Sequence, residues 1–268
     1  MATHGLTLSE QILSHAAGRP VAAGDLVIVD VDRCMCHDSL TPETIDAMKN
    51  VLGAEKVRYP ERVAVMVDHV APASSVATAN GQVKLRQWVA EQGITAFYDV
   101  GAGVCHQVMI EEGLVQPGQI ALGTDSHATS YGAVCCFGTG VGSGDMALTL
   151  ATGQTWLRVP ATLRVDVAGR FRPHVSPKDL SLYLCGQLGM EGASYMAVEF
   201  HGVDWLDLDG RITLSGMTTE VGAKVGLIPP VGVALQGFDV PDWLRVQPDA
   251  RYERTLFVDL ATLGSQVA

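Results

Sequence analysis

The chain has 268 residues, 47% of them hydrophobic and 18% charged, enough apolar material for roughly one large domain or two small ones. Its 18 Lys and Arg stand against 29 Asp and Glu, and the net charge of -11, with no compensating basic stretch, argues against binding to a phosphate backbone. The first twenty residues lack the basic start and apolar run of a secretory signal, and no segment approaches the ~18 uninterrupted apolar residues of a membrane helix, so a soluble cytoplasmic protein is expected.

In chain order, residues 25–31 read as a strand and Pro42 opens a helix. Residues 62–68 form the next strand, followed by an amphipathic helix over 78–92 that stops at Gly93. Residues 96–100 lead through a Gly-rich turn into a short helix ending near Gly113, and 119–123 is a further strand. Strands alternating with helices predict a sheet covered on both faces. After Gly153 the pattern changes: strands at 156–160 and 163–167, a helix from Ser176-Pro177 to Gly186, a strand at 196–200, a helix over 211–225 and a last strand at 255–260. A boundary near residue 157 is expected, giving a three-layer α/β unit over 1–157 and a smaller α+β unit over 158–268.

The histidines carry the functional signal. His37, His69, His106 and His127 each follow a strand or turn, in small, polar or Gly-rich contexts, and three of them have an aspartate beside or next but one to them (Asp38, Asp68, Asp125). Ligands of α/β sheets sit beyond the carboxyl ends of strands, where such loops converge. An imidazole next to a carboxylate is held in one tautomer with a raised pKa, which suits it to proton transfer near neutrality. A catalytic cleft is therefore expected. The six cysteines (Cys34, Cys36, Cys105, Cys135, Cys136 and Cys185) contain no C-x-x-C and form no self-sufficient metal motif; reduced thiols are expected. The glycines of 138–144 include G-x-G before a helix but lack a P-loop lysine, so close backbone packing is the better reading than nucleotide binding.

These residues carry a resemblance. Val31-Asp32-x-x-Met35-x-His37-Asp38-x-Leu40-Thr41-Pro42, Asp68-His69, Gly123-Thr124-Asp125-Ser126-His127 with Tyr131-Gly132-Ala133, and Gly138-Thr139-Gly140-Val141-Gly142 with Asp145-Met146-Ala147 run in order along the chain. Val159-Pro160, Ala197-Val198-Glu199-Phe200 and Glu220-x-Gly222-Ala223 extend the match to about residue 228. The sequence resembles the aconitase superfamily, in its branch of 3-isopropylmalate dehydratase and homoaconitase large subunits. That resemblance implies a hydro-lyase that removes and re-adds water on a hydroxy di- or tricarboxylic acid, with a 4Fe-4S cluster as Lewis acid. Carried over, it makes Asp68-His69 the acid pair at the departing hydroxide, His106 with Asp125 a second pair and His127 with Glu199 a third. Ser126 would bind a substrate carboxylate, and His37 falls at a substrate-contact position.

The departures define the expected partners. The family's cluster-ligating cysteines lie in segments resembling S-C-T-N and G-C-x-x-C of a later domain, and none of the six cysteines here matches them. The serine base of the swivelling small subunit and the carboxylate-clamping arginines are likewise missing. Two further positions differ: Ala128-Thr129 stands for the usual Thr-Cys, and Gly216 for the usual Asn, where looser local hydrogen bonding is expected. The chain is thus expected to act as the N-terminal part or a split subunit of an aconitase-type hydro-lyase, completed by a cluster-bearing subunit and a small swivelling subunit. Two other readings stand beside it: a non-catalytic assembly or binding protein of the same fold, and a cluster-free hydro-lyase using a mononuclear metal.

Overall fold

A computed structural model describes residues 4–267. Helix α1 (Leu8–Ala17) opens on a capping box: Thr7 accepts from the Glu10 amide, and the Glu10 carboxylate accepts from the Thr7 amide at 2.9 Å. It stops at Gly18, whose φ of +64° is the left-handed cap that glycine adopts without cost.

The first sheet holds β2 (Arg33–His37), β3 (Val63–Met66), β4 (Ala96–Tyr98), β5 (Ile120–Gly123) and β6 (Phe137–Gly140) in the order β4-β3-β2-β5-β6, every pair parallel. Side chains alternate between two cores. Cys34, Cys36, Val63, Val65 and Leu122 face one side, where α3 (Val76–Gln92) brings Leu85 and Trp88 and α5 (Ser143–Thr152) brings Met146 and Leu150. Met35, Ala64, Met66 and Ala121 face the other, against Cys105, Val108 and Met109 of α4 (Cys105–Glu111) and Ala128, Tyr131 and Val134 of a 3-10 segment (Ser126–Val134). This is the expected three-layer arrangement.

The second sheet is also wholly parallel, β10-β9-β8-β11, built from β8 (Thr162–Ala168), β9 (Ala197–His201), β10 (Val225–Leu227) and β11 (Arg254–Asp259). Helices α6 (Pro177–Leu188) and α7 (Leu208–Gly216) lie between these strands in the chain and pack Leu180, Leu184 and Leu214 on Leu163, Val165, Val198 and Phe200. The smaller unit is thus interleaved α/β, where the strand and helix order alone suggested α+β. The reason is local: the helix expected over 211–225 ends early, continues as a 3-10 turn (Met217–Val221) and stops at Gly222 (φ +80°), leaving Val225–Leu227 free to pair with β9.

An antiparallel ribbon of β1 (Leu26–Asp30) and β7 (Gln154–Arg158) joins the two units, with Leu157 opposite Val27. Beneath it one apolar cluster draws on both sheets: Ile120 and Phe137 from the first, Ala197, Val225 and Leu227 from the second, and Leu8, Ile12 and Leu13 of α1. The 3-10 segment meets β10 so closely that a side chain on Gly132 would overlap the carbonyl of Gly226. Gly138 and Gly140 do the same work against Ala128 and Ser126, which is the close-packing role expected for that stretch. Gly216, where Asn is usual, is packed rather than loose: an added Cβ would lie 2.6 Å from Ser130 Oγ, and its carbonyl accepts from Thr129 Oγ1 at 3.1 Å. No described helix is long and apolar enough to cross a membrane.

Candidate active site

Four strand ends of the first sheet meet at one cleft. His37 closes β2, Asp68 and His69 follow β3, His106 sits in the first turn of α4 after β4, and Asp125, Ser126 and His127 follow β5. The chain runs outward from β2 through β3 to β4, then returns to the other side of β2 as β5, so the loops after β2 and β5 diverge and open a crevice.

Asp125 is its centre. Its carboxylate lies 3.0 Å from His69 Nε2, 3.0 Å from His106 Nε2 and 3.4 Å from His127 Nδ1, and it accepts the backbone amide of His127 at 2.7 Å, capping the 3-10 segment. These contacts, led by those of His106 and His127, hold the Asp125 carboxyl far below the usual carboxylate range. His69 is held from its other side by Asp68 at 2.8 Å. Burial works against a charged His69, but the hydrogen bonds it donates to Asp68 and Asp125 outweigh it and raise its pKa. Burial likewise opposes the Asp68 anion, yet His69 and the Cys105 amide, 2.7 Å away, bring its pKa below the ordinary value.

The loop bearing His69 is fixed from below by Asp38. Buried, it accepts the amides of Asp68 (3.3 Å), His69 (3.0 Å) and Val70 (3.2 Å), and Gln82 of α3 bonds both Asp38 and the Val70 carbonyl. Sequence alone suggested Asp38 as a partner of His37; it is instead the scaffold of the next loop. His37 is buried, takes the Ser39 amide on Nδ1 at 3.3 Å and lies against His69.

Glu199 requires a correction. It was expected to pair with His127, but the carboxylate facing His127 Nε2 is Glu220, at 3.2 Å. Glu199 is fully buried in β9, where it accepts the Leu8 amide at the start of α1 at 2.6 Å and sits 3.3 Å from both His201 Nε2 and the Tyr252 hydroxyl. Its neighbours in the sequence, Ala-Val and Phe-His, are all core positions, so the strand turns it inward. Glu220 is instead the exposed residue of the 3-10 turn before Gly222, brought to His127 by the packing of that turn on the 3-10 segment of the first unit. His127 is raised by Asp125 and, next, by Glu220.

The structure therefore brings together Asp68, His69, His106, Asp125, Ser126 and His127, with His37 beside them, adds Glu220 and removes Glu199. Three imidazoles on one carboxylate, two of them with raised pKa, form a store of acidic protons on a partly open surface. Such a site can protonate a leaving oxygen and take the proton back in the reverse direction.

The aconitase family (aconitate hydratase) matches residues 10–268. The chain belongs to this family. It is 52% identical over 265 residues to a 3-isopropylmalate dehydratase large subunit of Herpetosiphon aurantiacus, covering 98% of this chain and 63% of that one. It is 48% identical over 267 residues to a homoaconitase large subunit of Thermus thermophilus, again covering 98% and 63%. The chain thus spans about 63% of the length of these curated relatives. Among solved structures, aconitase X of Thermococcus kodakaraensis in its holo-form matches with a TM-score of 0.54 and 13% identity over 87% of this chain and 58% of that one, a likeness of fold.

The family's iron–sulfur cluster needs converging thiolates, and the cysteines here do not fit one. Cys34 and Cys36 lie in one core, Cys135 in a second, and Cys105 and Cys136 in a third. Burial pushes the Cys34 thiol up to about 12 and Cys36, Cys135 and Cys136 well above the usual thiol range, which opposes the thiolate a metal requires. Two mixed sets, His37-Asp38-His69 and Asp68-His69-Cys105, each bring ligand atoms within 4.8 Å of one another. Asp38 is already committed to amide donors and the Cys105 thiol is pushed up by burial, so neither set is a ready metal centre.

Proposed function

We propose that this chain supplies the proton-handling wall of an aconitase-type hydro-lyase, one that removes and re-adds water on a hydroxy di- or tricarboxylic acid of the isopropylmalate or homocitrate kind. The observation that carries this reading is Asp125 joined to His69, His106 and His127 at once. In it His69, doubly held by Asp68 and Asp125, keeps a proton for the departing hydroxide. His127, held by Asp125 and Glu220, is a second proton carrier on the open side, and His106 completes the wall. Ser126, exposed at the lip of the cleft, binds a substrate carboxylate, and His37 backs His69 from beneath.

The Lewis-acid centre of the reaction is assigned to a partner polypeptide carrying the cluster cysteines, and the base that takes the carbon-bound proton to a small swivelling subunit. The relatives named as large subunits support a multi-chain enzyme. A cytoplasmic location is in keeping with six free cysteines.

Co-expression with a chain carrying the family's cluster-cysteine segments tests the reading. The complex should carry iron and sulfide and hydrate an unsaturated diacid. His69→Gln should lower kcat by roughly 10²–10⁴-fold. No association with a cluster-bearing chain, or full activity in His69→Gln and His106→Gln, overturns it, the second outcome leaving the fold as a scaffold.

A further inference from the structure

A cavity of about 380 Å³ opens beside the histidine cluster, with Thr124, Ser126, Thr139, Thr219, the Gly140–Gly142 turn and Lys224 in its walls. Ser126 belongs to both places, its Oγ lying 3.5 Å from His127 Nδ1. Lys224 comes two residues after the Gly222 turn that ends the Glu220 segment, so one short stretch contributes a carboxylate to His127 and an ammonium to the cavity.

Lys224 Nζ makes one long hydrogen bond, to the Gly140 carbonyl at 3.3 Å, and stands 5.7 Å from the Tyr195 ring centroid. Among the described residues no carboxylate forms an ion pair with it, although the chain as a whole is strongly acidic. Two of its three ammonium protons thus remain for another acceptor. Gly140 in turn lies flat on the catalytic loop: an added Cβ would stand 2.7 Å from Ser126 Cα and 2.8 Å from the Asp125 carbonyl oxygen. Ammonium, Gly140 and the Asp125-Ser126 turn therefore form one contiguous layer behind His127. Burial lowers the Lys224 pKa, against the more distant field of Asp145, and a bound anion would offset that loss of solvation. The surrounding hydroxyls of Thr124, Ser126, Thr139 and Thr219 are the kind of donors a carboxylate accepts.

We infer that Lys224, with Ser126 and the Gly140–Gly142 turn, forms a subsite that holds one carboxylate of a dicarboxylic ligand and so positions the rest of that ligand over the histidine cluster. The identity of the ligand as substrate rests on the hydro-lyase reading; the binding itself does not.

Titration of succinate into the purified full chain at constant ionic strength, followed by calorimetry, tests the subsite without turnover. Succinate should bind, and the neutral succinamide should not. Lys224→Gln should weaken succinate by ~10-fold or more, the size expected for one charge-assisted contact, and Lys224→Arg should restore it to within about threefold. Ser126→Ala, at an exposed position that leaves the core untouched, should weaken it by about threefold or more. Exposed Lys56→Gln should change nothing. The inference fails if the parent does not bind succinate, if succinamide or inorganic phosphate binds as well, or if Lys224→Gln binds succinate like the parent. The two readings also fail apart. Lys224-dependent binding with an inactive reconstituted complex removes the dehydratase reading alone. An active complex whose KM is unmoved by Lys224→Gln removes the subsite alone.

Discussion

The rings of His37 and His69 stack with centroids 3.7 Å apart and planes inclined by 14°. Two imidazoles at that spacing cannot both carry a charge cheaply, and their surroundings decide which one does. His69 lies between two carboxylates and is raised; His37 is lowered, by burial first and then by the charge on His69. Replacing His69 by Gln removes only the second cause. The His37 titration midpoint, followed by NMR of the ring protons, should move upward in His69→Gln.

The cluster also predicts how stability changes with pH. His69 and His127 have folded pKa values above the ordinary 6.5, so their contribution is complete below that value and is lost as pH rises through the elevated values. Asp125 is depressed from 3.8, so its contribution is complete above that value and is lost as pH falls. Both are present between those limits. Thermal midpoints measured from acid to alkaline pH should fall on either side of that window, and Asp125→Asn should flatten the fall on the alkaline side. An unchanged alkaline slope in Asp125→Asn would show that the carboxylate does not hold the imidazoles charged.

Glu199 and Glu220 should separate cleanly. Glu199→Ala leaves the Leu8 amide, His201 and Tyr252 without their common acceptor inside the core, and should cost roughly 3–5 kcal/mol in urea unfolding. It should leave the His127 titration in place. Glu220→Gln should lower the His127 midpoint while changing stability by no more than about 1 kcal/mol, since that pair is exposed. The reverse pattern would return Glu199 to the cleft.

Arg211 is fully buried and, among the described residues, has no ion pair; burial pulls its pKa down to about 10. Its guanidinium donates to the carbonyls of Ala133 at 3.1 Å, Pro229 at 3.3 Å and Val231, tying α7 to the end of the 3-10 segment and to the stretch after β10. A lysine keeps the charge but has no planar fork to span three carbonyls. Arg211→Lys should therefore lose about 2–4 kcal/mol in equilibrium unfolding; a loss within experimental error would mean that water replaces the guanidinium there.

Much of the histidine cluster was legible because it is local. Asp68 beside His69, and Asp125 two residues before His127, announce their contacts by adjacency, and strand ends announce where they meet. The His127–Glu220 contact spans 93 residues and two units, so no spacing rule contains it. A signal did exist: a glutamate inside Ala-Val-Glu-Phe reads as a core strand position, whereas Glu220 precedes a turn glycine in a polar stretch. The same logic accounts for elements that sequence reading passed over. Helix α1 carried a visible Thr7-x-x-Glu10 box. Strand β2 is buried along nearly its whole length and so shows no alternation, and β6 is half glycine because the 3-10 segment lies against it.

Asp125 has one carboxylate for three rings. His69 and His127, both raised, therefore draw on the same negative charge, and the first to take up a proton weakens the claim of the other. A titration curve read at either of these two rings will report the occupancy of both, and a ligand that claims one will be felt at once by the other.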